Sequence, residues 1–278
     1  MLGGVYALIA LGLVLVCKST KIINLAFGQI MVIVAYLIAT FYVSMGLNLV
    51  LSLLLVFAIS ALLGLFLERF TMRPLLGQGL LPMVIITLVI SIFFEGVVTI
   101  FWADKEKYLS IISQQALHFG GISIQYSYLW AFIITILIFG LMVFLFRYTR
   151  VGLAMRAVAE DHQLSQAMGI GVKRIFAISW AISCVVAAAA GLLLGNISLV
   201  SPSMGYLGLA KALPVLLLGG LESVPGALLG GIFIGVAESV GGAYAGGEYG
   251  DIIPFSLMLL ILLIRPYGLF GERRIERI

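Results

Sequence analysis

The sequence predicts an all-α polytopic membrane protein of eight to nine transmembrane helices, and three observations carry that reading. Of its 278 residues, 63% are hydrophobic and only 10% charged, against about 45–50% apolar and about 25% charged in soluble domains. Apolar runs recur that reach or approach the roughly 20 residues a helix needs to cross a hydrocarbon core about 30 Å thick. The alternation at every second residue that marks a membrane barrel is absent.

Reading the runs between charges places spans at 1–17, 25–44, 47–67, 80–102, 127–146, 175–200, 207–221, 224–243 and 252–264. The first, MLGGVYALIALGLVLV, has no basic flank ahead of it and no small-residue cleavage pattern, so it reads as a helix and not as a signal peptide. It covers only about 24 Å at about 1.5 Å per residue, which calls for tilt, shielding or further chain upstream. The run holding Lys211 and Pro214 has the features of a re-entrant segment, which is why the expected count is eight to nine.

Basic residues set the orientation. Thirteen of the sixteen, Lys18, Lys21, Arg69, Arg73, Arg147, Arg150, Arg156, Lys173, Arg174, Arg265, Arg273, Arg274 and Arg277, fall on one side. Only Lys105 and Lys107 fall opposite, offset by Asp104 and Glu106. The first side is therefore cytoplasmic and holds the C-terminus. The chain reads as one transmembrane domain, 1–278, with an external loop at 103–126 that carries a small strand pair about Gly120 and Gly121, and a cytoplasmic stretch at 147–174. The basic clusters, for all the net charge of +4, form no continuous face, so they report topology and not nucleic acid. Cys17 and Cys184 sit in different runs without metal-ligand spacing and read as packing residues.

Glycine is abundant, at 32, and concentrated late in the chain. The small-xxx-small pairs Gly191/Gly195, Gly226/Gly230 and Gly231/Gly235 predict close helix approach in the C-terminal half. A weak echo links GGVYALIALGLVLV near the start with GALLGGIFIGVAESV near residue 226.

No HExxH, GxSxG or paired acid cluster is present, and His118 and His162 fall on opposite sides of the membrane. No GxxxxGK[ST] occurs, so the chain is expected to bind no ATP, metal or other cofactor itself and not to be an enzyme. Ionisable groups within runs are the next pointer, because each costs at least about 2.5–3.5 kcal/mol in hydrocarbon unless it finds a partner or water. Glu95, Lys211 and Glu238 are these groups, read either as a translocation path or proton relay, or as an interior Glu–Lys pair or a residue near the interface that snorkels out. Two segments also carry helix breaks: Asn24, Phe27, Gly28 and Gln29 in KIINLAFGQIMV, and Gly219, Gly220, Pro225 and Gly226 after Pro214. Broken helices at membrane depth line transport pathways; tight turns between ordinary spans are the alternative for the second.

In the cytoplasmic stretch, Ala154, Met155, Val158 and Ala159 repeat at helical spacing. Asp161 then caps a short second helix whose apolar side holds Leu164, Ala167 and Met168, and Gly169 with Ile170 suits a Schellman closure. A helix this short with one apolar side needs something to cover it: the membrane surface, the rest of the chain, or another protein.

The runs INLAFGQIMVIVAYL, LERFTMRPLLG, RYTRVGLAMRAVAEDHQLSQAMGIGVKR, GLAKALPVLLLGGLESVPGALLGG and LILLIRPYGLFG occur in that order. Together they resemble the permease subunit of branched-chain amino acid ABC importers, specifically the first of that family's two homologous permeases, from residue 1 to about 271. The resemblance implies a second homologous permease, two ATP-binding subunits that hold ATP and Mg, an external substrate-binding protein, and a multi-pass location in the inner membrane. It also implies a cytoplasmic coupling helix, with Ala157, Ala159, Glu160, Asp161, Ala167, Met168 and Gly169 docking on an ATPase. The family's NFAHGE stands here as NLAFGQ, and its GGIGSIPGA as GGLESVPGA, which places Glu222 at a Gly position. These departures leave urea, amides and small carboxylates beside branched-chain amino acids as substrates. A proton-coupled secondary transporter using Glu95 or Glu238 is the rival from outside the family.

Overall fold

The computed structural model describes residues 1–75, 78–102, 106–109, 111–112, 115–119, 122–246, 250, 252–265 and 268–271. Helices follow the apolar runs in order: α1 (Leu2–Thr20), α2 (Phe27–Ile38), α3 (Leu49–Leu67), α4 (Leu80–Trp102) and α5 (Tyr126–Tyr148). Two shorter helices come next, α6 (Arg150–Glu160) and α7 (His162–Ala167). The chain then returns as α8 (Val172–Ile197), α9 (Ser203–Gly219), α10 (Val224–Ala245) and α11 (Ile252–Ile264). Among the described residues, seven helices are long and apolar enough to cross a membrane, and α9 and α11 are shorter apolar helices.

Two helices continue past their α-helical ends, and α3 runs beyond its apolar stretch. A π-helical turn, Ala39–Ser44, continues α2, and a π-helical turn followed by a 3₁₀ turn carries α3 through Glu68–Leu75. The second extension takes the polar sequence ERFTM because Glu68, 1% exposed, pairs with Arg73 at 2.7 and 3.1 Å. A carboxylate buried this way is tolerated through its two charge-assisted hydrogen bonds.

The first helix is the centre of the bundle. Its apolar window is 89% buried, against 22%, 28% and 22% for the spans built on α3, α4 and α5, which turn most of their apolar side chains outward as lipid-facing helices do. The late glycines close the inner contacts: Gly231 and Gly235 of α10 lie against Gly3 and Ala7 of α1, and Gly191 of α8 lies on the Met31 carbonyl of α2. The two echoing Gly-opened helices, α1 and α10, thus pack on one another. Cys17 and Cys184 are buried and unbridged.

Between α4 and α5, β1 (Ala116–Phe119) pairs antiparallel with β2 (Ile122–Gln125). The expected turn, Gly120 and Gly121, lies outside the described residues, as do Asp104, Lys105 and the tail arginines Arg273, Arg274 and Arg277. Lys107 bridges to Val200, tying this loop to the segment between α8 and α9.

Candidate functional site

The stretch 147–174 builds itself from local chemistry. Thr149 caps α6 by accepting from the Gly152 N–H at 3.0 Å, and Met155, Val158 and Ala159 are buried against the bundle while Ala157 is half-buried. Asp161 caps α7, accepting from the Gln163 and Leu164 N–H groups at 2.8 and 2.9 Å. At the other end Gly169 has φ +82°, and the Gly169 and Ile170 N–H groups donate to the Gln166 and Ser165 carbonyls at 3.0 Å each, the two bonds of a Schellman closure. The apolar side of α7 is uncovered: Leu164 is 62% and Met168 77% exposed. Glu160, Asp161, Ala167 and Gly169 are exposed as well. Self-packing therefore accounts for α6 and not for α7.

Replacing the cap tests this construction. Asp161→Ala costs about 1 kcal/mol, so amide exchange across 163–168 speeds up about fivefold; unchanged exchange there would refute the capping role.

The loop touches the bundle at the end of α1. His162 Nε2 donates to the Ser19 carbonyl at 3.2 Å. Lys21, in the left-handed conformation at φ 59° that ends α1, pairs with Glu222 at 2.7 Å. Glu222 lies in the four-residue turn from α9 to α10, where Ser223 caps α10 by accepting from the Gly226 N–H at 3.0 Å. Gly219 and Gly226 are in backbone contact across this turn, Gly220 has φ +95°, and Pro225 occupies the first turn of α10. The segment 219–226 is thus a tight turn between two helices, the alternative that the sequence left open for it.

Breaks inside the bundle occur elsewhere. Phe27 opens α2 against Gly12, which lies eight residues, about 12 Å, before the C-terminal end of α1. The Leu25 N–H donates to Thr87 Oγ1 at 3.2 Å, seven residues or about 10 Å into α4. Residues 21–26 therefore run inside the protein without a helix, and α2 starts within the bundle, level with the interior of α1 and α4. The chain also returns to the bundle without a helix after α8: Tyr36 OH donates to the Val200 carbonyl and Gln29 Nε2 to the Pro202 carbonyl, both at 3.3 Å, before α9 begins at Ser203. The starts of these two antiparallel helices meet at Gly28 and Gly205, whose backbones touch. Two positive helix ends thus share one depth.

Polar groups gather around this meeting point. Asn24 and Gln29 are 0% and 1% exposed, and Asn24 Nδ2 and Gln29 Oε1 have no hydrogen-bond partner. Tyr206, in the first turn of α9, donates to Glu95 Oε2 of α4 at 2.6 Å, and its hydroxyl also faces the side chains of Ser91 and Gln29. A second group lies on the other side of α9, where Lys211 pairs with Glu238 of α10 at 2.6 Å beside the Tyr6 hydroxyl. The structure therefore separates the three intramembrane ionisable residues: Lys211 and Glu238 are an interior pair, and Glu95 belongs to the meeting of α2 and α9. Ser91, Pro202, Gly205 and Tyr206 were not singled out in the sequence; the only signal for the last three was the Pro and Gly in SPSMGYLG, and Ser91, inside the apolar run of α4, had none.

A family model described as "Branched-chain amino acid transport system / permease component" matches residues 1–262. The chain belongs to that permease family. It is 36% identical to the high-affinity branched-chain amino acid transport permease BraD of Pseudomonas aeruginosa, over 99% of this chain and 94% of the relative. It is 32% identical to the permease LivH of Salmonella typhimurium, over 100% and 94%, and 31% identical to a probable LivH of Methanocaldococcus jannaschii, over 95% and 88%. No solved structure matches it. With the permease family established, the proton-coupled alternative gives way. Of the two departures from the family pattern, Glu222 is accommodated by Lys21, and Gln29 stands at the start of α2 with one amide oxygen free.

Proposed function

We propose that this permease carries a small amino acid, branched-chain by analogy with BraD and LivH, inward across the inner membrane, driven by ATPase subunits that bind ATP and Mg. The single observation that carries this reading is α7, a capped helix on the basic side with Leu164 and Met168 uncovered. A groove on an ATPase suits such a helix. The remaining partners are a second homologous permease and an external binding protein, with the C-terminus and the 147–174 loop in the cytoplasm.

In this reading Ala157 and Ala159 seat the loop on the body, Asp161 and Gly169 shape α7, and Glu160, Ala167 and Met168 meet the ATPase. Closure of the ATPases displaces α7. The displacement reaches the end of α1 through His162 and Ser19, and from there the non-helical segment 21–26 and the α2–α9 meeting point, so that access alternates between the two sides. Asn24, Phe27, Gly28, Gln29 and Glu95 are the pathway residues on this account. Gly219, Gly220, Pro225 and Gly226 form the inner turn, and Lys211 and Glu238 brace α9 against α10.

Gly169 supplies the test. A Cβ at Gly169 would touch nothing, so substitution acts through the backbone conformation alone. Gly169→Val, placed at positive φ, disrupts the closure of α7, whereas Gly169→Asn is tolerated because Asn adopts this conformation. Gly169→Val is expected to insert normally but to lose amino-acid uptake while ATP hydrolysis continues, and Gly169→Asn to retain both. Glu160→Arg is expected to uncouple in the same way. Full uptake by Gly169→Val and Glu160→Arg would refute the coupling role.

A further inference from the structure

The group around Glu95 is a set of acceptors without a cation. Glu95 stands seven residues, about 10 Å, below the external end of α4, a depth at which a lone carboxylate facing lipid is costly. Among the described residues no Lys, Arg or His forms an ion pair with it; the three ion pairs are Lys21–Glu222, Arg73–Glu68 and Lys211–Glu238. Its partner is the Tyr206 hydroxyl, at 2.6 Å. That hydroxyl faces Ser91 and Gln29 as well. The Gln29 amide is oriented by its Nε2 bond to the Pro202 carbonyl, which only accepts, so the free atom is the acceptor Oε1, buried and without a donor. A carboxylate, an unfilled amide oxygen and two hydroxyls thus converge where α2 and α9 begin. The Glu95 side chain is half-buried and Tyr206 is 41% exposed, so the group opens to one side of the chain.

Such a group calls for a ligand with several donors and a positive charge. An ammonium group has three donors and no acceptor, and it satisfies the carboxylate and the amide oxygen together. We propose that Glu95, Tyr206, Ser91 and Gln29 line a water-filled part of the translocation path and bind the ammonium group of the transported amino acid. This rests on the amino-acid importer reading given above. The carboxylate then faces water and substrate, not lipid, which removes the cost of its position.

The test uses the complete complex in proteoliposomes with its binding protein and L-leucine. Glu95→Gln is expected to lower leucine uptake by at least about tenfold through loss of a charge-assisted bond, and Glu95→Asp to recover part of it. Glu95→Cys reports the surroundings directly: a membrane-impermeant cationic thiosulfonate labels it from outside, and leucine with binding protein and ATP slows the labelling. Phe93→Cys, exposed on another face of α4, is the lipid-facing control, and the native cysteines are buried. Labelling at Glu95→Cys no faster than at Phe93→Cys, or undiminished uptake by Glu95→Gln, overturns this inference and leaves the importer reading standing. Wild-type complex that imports a neutral amide and no amino acid overturns both.

Discussion

Gly28→Leu is expected to abolish uptake and to lower the melting temperature of the purified permease. A Cβ on Gly28 would run into the Gly205 carbonyl, and one on Gly205 would lie 2.8 Å from the Gly28 carbonyl. Both obstacles are backbone, so no rotamer change relieves them and the two helix starts must separate. Overpacking of a tight core costs about 1–3 kcal/mol even where side chains can give, and here they cannot. Gly205→Leu should behave alike, and the double variant should cost less than the sum, since both disturb one contact. Thermal melting in detergent together with leucine uptake decides it: a Gly28→Leu permease with wild-type melting and transport would show that α2 and α9 do not meet as described.

Lys211→Met is the second large effect, and its cause is charge and not shape. The variant strips the cation from Glu238, whose side chain is only 17% exposed. Removing one partner of a buried ion pair costs about 3–5 kcal/mol, whereas replacing both by apolar residues is often near neutral. Lys211→Met is therefore expected to melt far below wild type, and the double variant Lys211→Met with Glu238→Leu to regain most of the loss. Equal melting of the single and double variants would refute the pairing. Retention of ATP-driven uptake in the double variant would separate a bracing pair from a group that carries protons.

The helices were legible in the sequence because apolar periodicity and charge placement are local signals, and boundaries such as Leu80–Trp102 and Ile252–Ile264 coincide with the runs read from it. The shape of α7 was legible for the same reason, since Asp161 and Gly169 act on neighbours within a few residues. Expense made the Lys211–Glu238 pair foreseeable, as two unlike charges at depth seek each other. The extension of α3 was hidden because ERFTM is polar, and only the partner Arg73 five residues on makes Glu68 fit inside. The starting depths of α2 and α9 were hidden too. An apolar run says that a helix is embedded but not where it begins, and the bond from Tyr206 to Glu95 joins residues 111 positions apart.

The buried Asn24 Nδ2 and Gln29 Oε1 carry one more consequence. A donor or acceptor held without a partner inside a protein costs about 1–3 kcal/mol. Both lie on the non-helical segment and first turn that lead from the end of α1 to the Gly28–Gly205 contact. With the two helix starts touching, neither atom makes its bond. On the importer reading proposed above, an arrangement that brings water or substrate to these two atoms makes both bonds, and so favours opening between α2 and α9.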